Sequence, residues 1–206
     1  MKKRTQVLIV HGGMTFKSTR DYLHYLKTRK ISIGKRVRWS GEYLEKKLGS
    51  GFQIIRPRMP LQDNAKYTDW RIWFERHLPY IKKNSIFIGS SLGGIFLAKY
   101  LSEHKLRREA LSTYLICPPF DNSVKGEHLG GDFKLKSDLS LLEKNTKNLR
   151  LLFSKDDDVV PVTHAGKYKA KLKNAHIVIY KNKNGHFQVS AFPEIIKMIK
   201  GDVRGT

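Results

Sequence analysis

The sequence predicts an α/β fold, a mainly parallel, doubly wound sheet of about six strands with helices on both faces. Three observations carry this expectation. Short apolar runs of strand length alternate with longer helix-like stretches along the chain, the pattern of parallel strands joined by right-handed crossovers. The residues with chemistry to offer fall just after the apolar runs, and open parallel sheets gather their sites at the carboxyl ends of the strands. A length of 206 residues is enough to bury the core of one such unit, so the span 1–206 reads as a single domain with little or no room for a cap.

The first strand is expected over Gln6 to Val10, where Val7 to Val10 is unbroken apolar sequence. Gly41 to Leu48 is helix-like and leads to a short strand at Gln53 to Ile55. Thr68 to Ile81 reads as a helix in which Trp70, Trp73 and Phe74 recur at helical spacing, the mark of a core face. Ser85 to Ile88 is the next strand, and Leu92 to His104 the next helix, apolar from Ile95 to Leu101. Leu111 to Cys117 is a strand that Pro118-Pro119 brings to an end. Leu149 to Phe153 and His176 to Tyr180 complete the sheet, with helices at Pro161 to Lys173 and Phe192 to Lys200. Gly201 to Thr206 is expected to fray. Two segments exceed a minimal sheet, Phe16 to Ser40 and Phe120 to Ser140. Both leave from strand ends and are expected to form pocket walls or a small lid.

Gly89-Ser90-Ser91-Leu92-Gly93 is a G-x-S-x-G pentapeptide between the apolar run Ile86-Phe87-Ile88 and the helix-like run from Ile95. In that context a strained strand-to-helix turn raises the central serine hydroxyl above the sheet, which makes Ser91 the candidate nucleophile. Small residues on either side let the chain turn sharply, and the turn aims the Leu92 N–H at the place where an oxyanion forms. An acid and a base follow in the order this arrangement uses. Phe153 leads into Ser154-Lys155-Asp156-Asp157-Asp158-Val159-Val160-Pro161, and Tyr180 leads toward Asn184-Gly185-His186-Phe187. A solvated turn before a helix, which welcomes negative charge, accounts for two of the three aspartates.

These pieces, with Val7-Leu8-Ile9-Val10-His11-Gly12-Gly13 near the start, resemble the small single-domain serine hydrolases of the α/β-hydrolase superfamily. In size and motif spacing the chain is similar to the retinoblastoma-binding serine hydrolase group, and the matching pieces span nearly its whole length. The family's acid stands four residues before a proline in an Asp-x-x-Val-Pro context, which selects Asp157 and leaves Asp156 and Asp158 as neighbours. The resemblance also implies that the glycine-rich turn supplies a second oxyanion donor, Gly13 ahead of Met14, beside Leu92. His11, Gly12, Met14 and Ser90 are then candidate substrate-binding positions, with His11 structural rather than catalytic because the triad already has its base. Ser90 departs from the histidine that many members carry there.

The implied chemistry is acyl transfer. His186 takes the Ser91 proton as the hydroxyl attacks a carbonyl and later delivers a proton to the leaving group, while Asp157 holds the imidazole in its working tautomer. The expected substrate is a small ester, with thioesters and amides open, so the activity expected is carboxylesterase-like. A serine peptidase of the same fold is the alternative enzyme. A non-catalytic binding module for a protein or an anionic partner is the alternative of another class.

No organic cofactor and no metal are expected: Asp156, Asp157, Asp158 and His164 lack the anchoring spacing of a metal motif. No apolar run approaches the roughly 20 residues a membrane-spanning helix needs. The basic Met1 to Arg4 followed by only four apolar residues reads as a first strand rather than a signal peptide. The lone Cys117 excludes an intrachain disulfide, is expected to be buried, and favours a reducing, cytoplasmic compartment.

The charge balance is extreme, 40 Lys and Arg against 18 Asp and Glu, or +22. Between Lys17 and Arg38 the cations Lys17, Arg20, Lys27, Arg29, Lys30, Lys35, Arg36 and Arg38 face Asp21 alone. Such a field attracts polyanions and can steer anionic substrates. Basic residues nevertheless run through every quarter of the chain without a helix-turn-helix, zinc-finger or RNA-binding signature, so no specific nucleic-acid partner is expected. The sequence carries no signal for oligomeric state.

Overall fold

The computed structural model describes residues 4–34 and 37–205. Lys35 and Arg36 of the basic stretch, Met1 to Lys3 and Thr206 lie outside the described residues. The strands are β1 (Thr5–Val10), β2 (Phe52–Ile55), β3 (Ile86–Ser90), β4 (Ala110–Ile116), β5 (Thr146–Ser154) and β6 (His176–Tyr180). They form one sheet of six strands in the order β2-β1-β3-β4-β5-β6, every neighbouring pair parallel. The helices are α1 (Thr19–Thr28), α2 (Leu44–Leu48), α3 (Tyr67–His77), α4 (Leu92–Glu103), α5 (Ser140–Lys144), α6 (Thr163–Lys169) and α7 (Pro193–Arg204).

The period of two along the strands divides their side chains between two cores. Leu8, Val10, Phe87, Leu115 and Phe153 face one layer, where Trp70 and Phe74 of α3, Phe96 of α4 and Tyr168 of α6 meet them. Val7, Ile9, Ile86, Ile88 and Leu152 face the other, against Leu44 and Leu48 of α2 and Ile195 and Ile199 of α7. Both strand faces are therefore covered, which is why the strands read as continuous apolar runs. Each fully buried aromatic such as Phe74 or Phe96, both 0 % exposed, contributes about 2 kcal/mol by leaving water.

Four local differences from the sequence reading have identifiable causes. The helix expected from Gly41 begins only at Leu44, because Gly41 adopts non-helical angles (φ −88°, ψ −131°) inside a wide turn over Trp39–Tyr43. The helix expected to reach Ile81 stops at His77, where Pro79 sits in a short 3₁₀ turn over Leu78–Tyr80. The first excursion contains a helix of its own, α1, and the second runs without one until α5 begins at its last residue, Ser140. The tail expected to fray from Gly201 instead continues α7 to Arg204. Asp202 anchors it: its carboxylate accepts from Ser112 Oγ at 2.7 Å and Tyr114 OH at 2.5 Å, and pairs with Arg150 at 2.5 Å.

The chain leaves β1 toward β2 on one side and returns to place β3 on the other. The strand order thus reverses between β1 and β3, the crevice where open α/β sheets bind ligands.

Candidate active site

Ser91 stands at that crevice, one residue past β3, with φ 53° and ψ −121°. A positive φ is strained for a non-glycine residue and persists only where the surroundings hold it. Here the Ser91 N–H donates to the Ile116 carbonyl at 2.8 Å, and two glycines make the turn sterically possible. A Cβ on Gly89 would run into the Gly93 backbone, and one on Gly93 would run into the Val10 and His11 carbonyls of the neighbouring strand end. Only glycine lets α4 begin this close to β1 and β3.

The hydrogen bonds of α4 begin with Gly94, whose N–H donates to the Ser91 carbonyl at 2.8 Å. The Leu92 amide thus lies at the open, positive end of the helix. Across the crevice the Gly12-Gly13 turn packs against the elbow: a Cβ on Gly12 would lie 3.3 Å from Ser91 Cβ, and one on Gly13 would lie 2.7 Å from the Gln62 carbonyl. The Met14 N–H is engaged by Gln62 O at 2.9 Å, whereas the Gly13 N–H has no partner among the described residues. Of the two donors considered on this turn, Gly13 is therefore the available one.

His186 follows β6 in a loop whose backbone is left-handed at Asn184, Gly185 and Phe187. Its Nδ1 lies 2.9 Å from both carboxylate oxygens of Asp157. Asp157 Oδ1 also accepts from the Val159 and Val160 amides at 2.9 and 2.8 Å, so the buried carboxylate is held on both sides. Asp156 braces the loop instead: it accepts from the Lys183 amide at 2.9 Å, the Gly185 amide at 2.8 Å and the Ser154 hydroxyl. Asp157 and not Asp156 meets the imidazole, and Asp156 gains a structural role that its position in the sequence did not reveal.

The other ring nitrogen carries a feature the sequence reading missed. His186 Nε2 lies 3.7 Å from Cys117 Sγ, and no hydrogen bond joins Ser91 Oγ to His186 among the described residues. Cys117 stands one residue past β4, beside Ser91 on the adjacent strand, fully buried and also left-handed (φ 40°). Burial works against charging His186, but Cys117 and then Asp157 outweigh it, and the imidazole is pushed up to about 11. A cysteine ending the strand next to the elbow strand was the available signal, because adjacent parallel strands end at the same edge.

Cys117, Asp157 and His186 bring ligand-type atoms within 4.8 Å of one another. Asp157 and Cys117 hold opposite nitrogens of the ring, so an ion on Nε2 would find Asp157 orienting the imidazole rather than beside it. The metal-type residues weighed from the sequence do not cluster. His164 is buried as a structural residue, its Nδ1 accepting from the Phe120 amide at 2.8 Å and its Nε2 lying 3.0 Å from Ser123 O.

A small cavity opens over Ser91, bounded by Leu92 from the elbow, Gly13 and Thr15 from the first turn, and Val124, Glu127, His128 and Leu129 from the second excursion. Its volume of about 20 Å³ is that of one water-sized group. His128 Nδ1 is buried without a partner. Partial burial holds the Glu127 carboxyl above its ordinary range despite the nearby His186. The Phe120 to Ser140 excursion thus supplies a wall. The Phe16 to Ser40 excursion does not: none of its described residues lines the cavity. His11, Gly12, Met14 and Ser90, expected at the substrate, are also absent from the lining. His11 is tied down elsewhere, its Nδ1 donating to Gly12 O at 2.6 Å and its Nε2 accepting from the Met59 amide at 3.0 Å.

No family model matches the chain. Among curated proteins it is similar to serine hydrolase RBBP9 of Rattus norvegicus, 26% identical over 151 residues that cover 73% of this chain and 77% of that protein. Among solved structures it matches the ydeN gene product of B. subtilis with a TM-score of 0.73 and 18% identity, covering 97% of this chain and 99% of that one. A YdeN-like hydrolase from Pectobacterium atrosepticum matches with a TM-score of 0.64 and 16% identity over 97% and 90% of the two chains. Est1E from Butyrivibrio proteoclasticus matches with a TM-score of 0.57 and 13% identity over 99% and 90%. No helix among the described residues is long and apolar enough to cross a membrane.

Proposed function

Because the chain is similar to serine hydrolase RBBP9 and its fold matches that of the ydeN gene product, we propose that it is a serine hydrolase of the α/β-hydrolase superfamily acting on a small ester, with Ser91 as nucleophile, His186 as base and Asp157 as its orienting acid. The observation that carries this reading is the Asp157–His186 pair, 2.9 Å through both carboxylate oxygens, on the same sheet edge as the strained Ser91 turn. Asp157 fixes the Nδ1–H tautomer, so Nε2 is the nitrogen left to accept a proton.

In this mechanism the imidazole swings from Cys117 to the neighbouring Ser91 as substrate enters, and Ser91 Oγ attacks the acyl carbon while its proton passes to Nε2. The Leu92 and Gly13 amides stabilise the oxyanion. The imidazolium protonates the departing alkoxide, and water repeats the sequence to free the acid. The cavity favours a short acyl group, and the carboxyl of Glu127 on its wall favours a neutral one. The unpartnered His128 Nδ1 is the polar group offered to the substrate beside it.

The test is fluorophosphonate labelling of the purified protein followed by intact mass, with Ser91→Ala alongside. One adduct on the wild type and none on the variant is the expected result. Labelling that survives Ser91→Ala, or a folded wild type that takes no label, would overturn the assignment of Ser91.

A further inference from the structure

α1 is an unusual helix for a chain of this size, since none of its residues is buried. On its inner side the Phe16 ring meets Tyr22 at 5.4 Å and Tyr25 at 5.2 Å, and the C-cap Arg29 pairs with Asp63 at 3.8 Å. The outer side presents Leu23 (48 % exposed) and Leu26 (43 %). Arg20 and Lys27 stand three residues before and four after Leu23, so helical geometry puts them on the same face. Beyond the helix, Ile31 and Ile33 are 83 % and 101 % exposed, next to the exposed cations Arg29 and Lys30. The helix's one acidic residue, Asp21, stands in its first turn and is engaged by the N-cap, Ser18.

We propose that this face, Arg20, Leu23, Leu26 and Lys27 with Ile31 and Ile33, is a docking surface for anionic lipid bilayers. Aliphatic side chains ringed by cations suit an interface in which the apolar groups enter the acyl boundary and the cations meet headgroup phosphates. Nucleic acid would use the cations but leave the aliphatic chains without a role, because bases stack on aromatic rings, and the Tyr22 and Tyr25 rings are already engaged by Phe16. Phe16 follows directly on Thr15, which lines the cavity over Ser91.

The experiment is co-sedimentation of the full chain with vesicles of phosphatidylcholine alone or mixed with phosphatidylglycerol, at low and physiological salt. The wild type is expected to bind the mixed vesicles and not the neutral ones. Arg20→Gln with Lys27→Gln should weaken partitioning about 30-fold, at about fivefold per charge. Leu23→Ser, Leu26→Ser, Ile31→Ser and Ile33→Ser together should weaken it at least about tenfold with the net charge unchanged. The charge set should leave the melting temperature unchanged, because Arg20 and Lys27 are exposed, and the melting temperature of the aliphatic set is measured alongside to confirm that it is folded. Ser91→Ala should bind as the wild type does, which separates this surface from the hydrolase reading. Undiminished binding by the fourfold aliphatic variant would assign the effect to diffuse positive charge and overturn the proposal. Failure to bind mixed vesicles, or binding of single-stranded RNA in their place, would do the same.

Discussion

Asp157→Asn is the substitution that tests the site most sharply, because the structure dictates how the new amide must sit. Asp157 Oδ1 accepts from both the Val159 and Val160 amides, so an asparagine keeps its carbonyl oxygen there and turns its NH₂ toward His186 Nδ1. The NH₂ that replaces Oδ2 at 2.9 Å from Nδ1 favours the imidazole tautomer that accepts at Nδ1 and carries its proton on Nε2, the nitrogen that should receive the Ser91 proton. The backbone contacts survive, but the base is in the wrong tautomer. The expected loss in kcat is about 10⁴-fold, or about 5.5 kcal/mol of transition-state stabilisation. The assay is p-nitrophenyl acetate turnover across a pH series, with plateau values compared above the acidic limb and the melting temperature measured in parallel. Asp156→Asn is the control. It leaves His186 untouched and weakens a brace that holds the Lys183 and Gly185 amides, so kcat should stay within about tenfold while stability falls by about 1–3 kcal/mol. An Asp157→Asn variant within tenfold of wild type, or an Asp156→Asn variant that is the more damaged in turnover, would refute the reasoning.

Further outcomes follow from the same contacts. Because Cys117 helps to hold the His186 imidazole above its ordinary value, and only neutral imidazole acts as base, the acidic limb of kcat/KM should lie above the usual histidine range. Cys117→Ala should move that limb downward, and an unmoved limb would remove Cys117 from the tuning of His186. The raised value also links to stability: the contribution is fully present below about pH 6.5 and is lost as pH rises toward about 11. The stability gap between wild type and Asp157→Asn in urea unfolding should therefore be widest near about pH 6 and shrink at alkaline pH. Asp202→Asn leaves Arg150 facing a neutral partner in a half-buried site, and should cost about 3 kcal/mol. A cost below about 1 kcal/mol would show that α7 is held by its apolar face alone.

The sequence alone determined the sheet and the edge on which the site is built. Six apolar runs of strand length can be covered on both faces only by the helices between them, and period-two packing at Val7 to Val10 needs no knowledge of the partners. The Gly89 to Gly93 spacing required a sharp turn at Ser91, and among the three aspartates it was the resemblance to a known family, through its Asp-x-x-Val-Pro context, that selected Asp157. What the tertiary structure decided are the contacts between residues far apart in the chain. The facing of Cys117 on His186 arises because β4 neighbours β3, and strand order is not written in any local pattern. The persistence of α7 through Gly201 rests on Ser112, Tyr114 and Arg150, which lie on strands of the sheet and not on the helix. The first excursion read as a pocket wall because it leaves the glycine-rich turn after β1, yet its aliphatic residues Leu23, Leu26, Ile31 and Ile33 face solvent. Local sequence sets which residues can form an element and what stands at its end; which distant groups meet there is a property of the packed sheet.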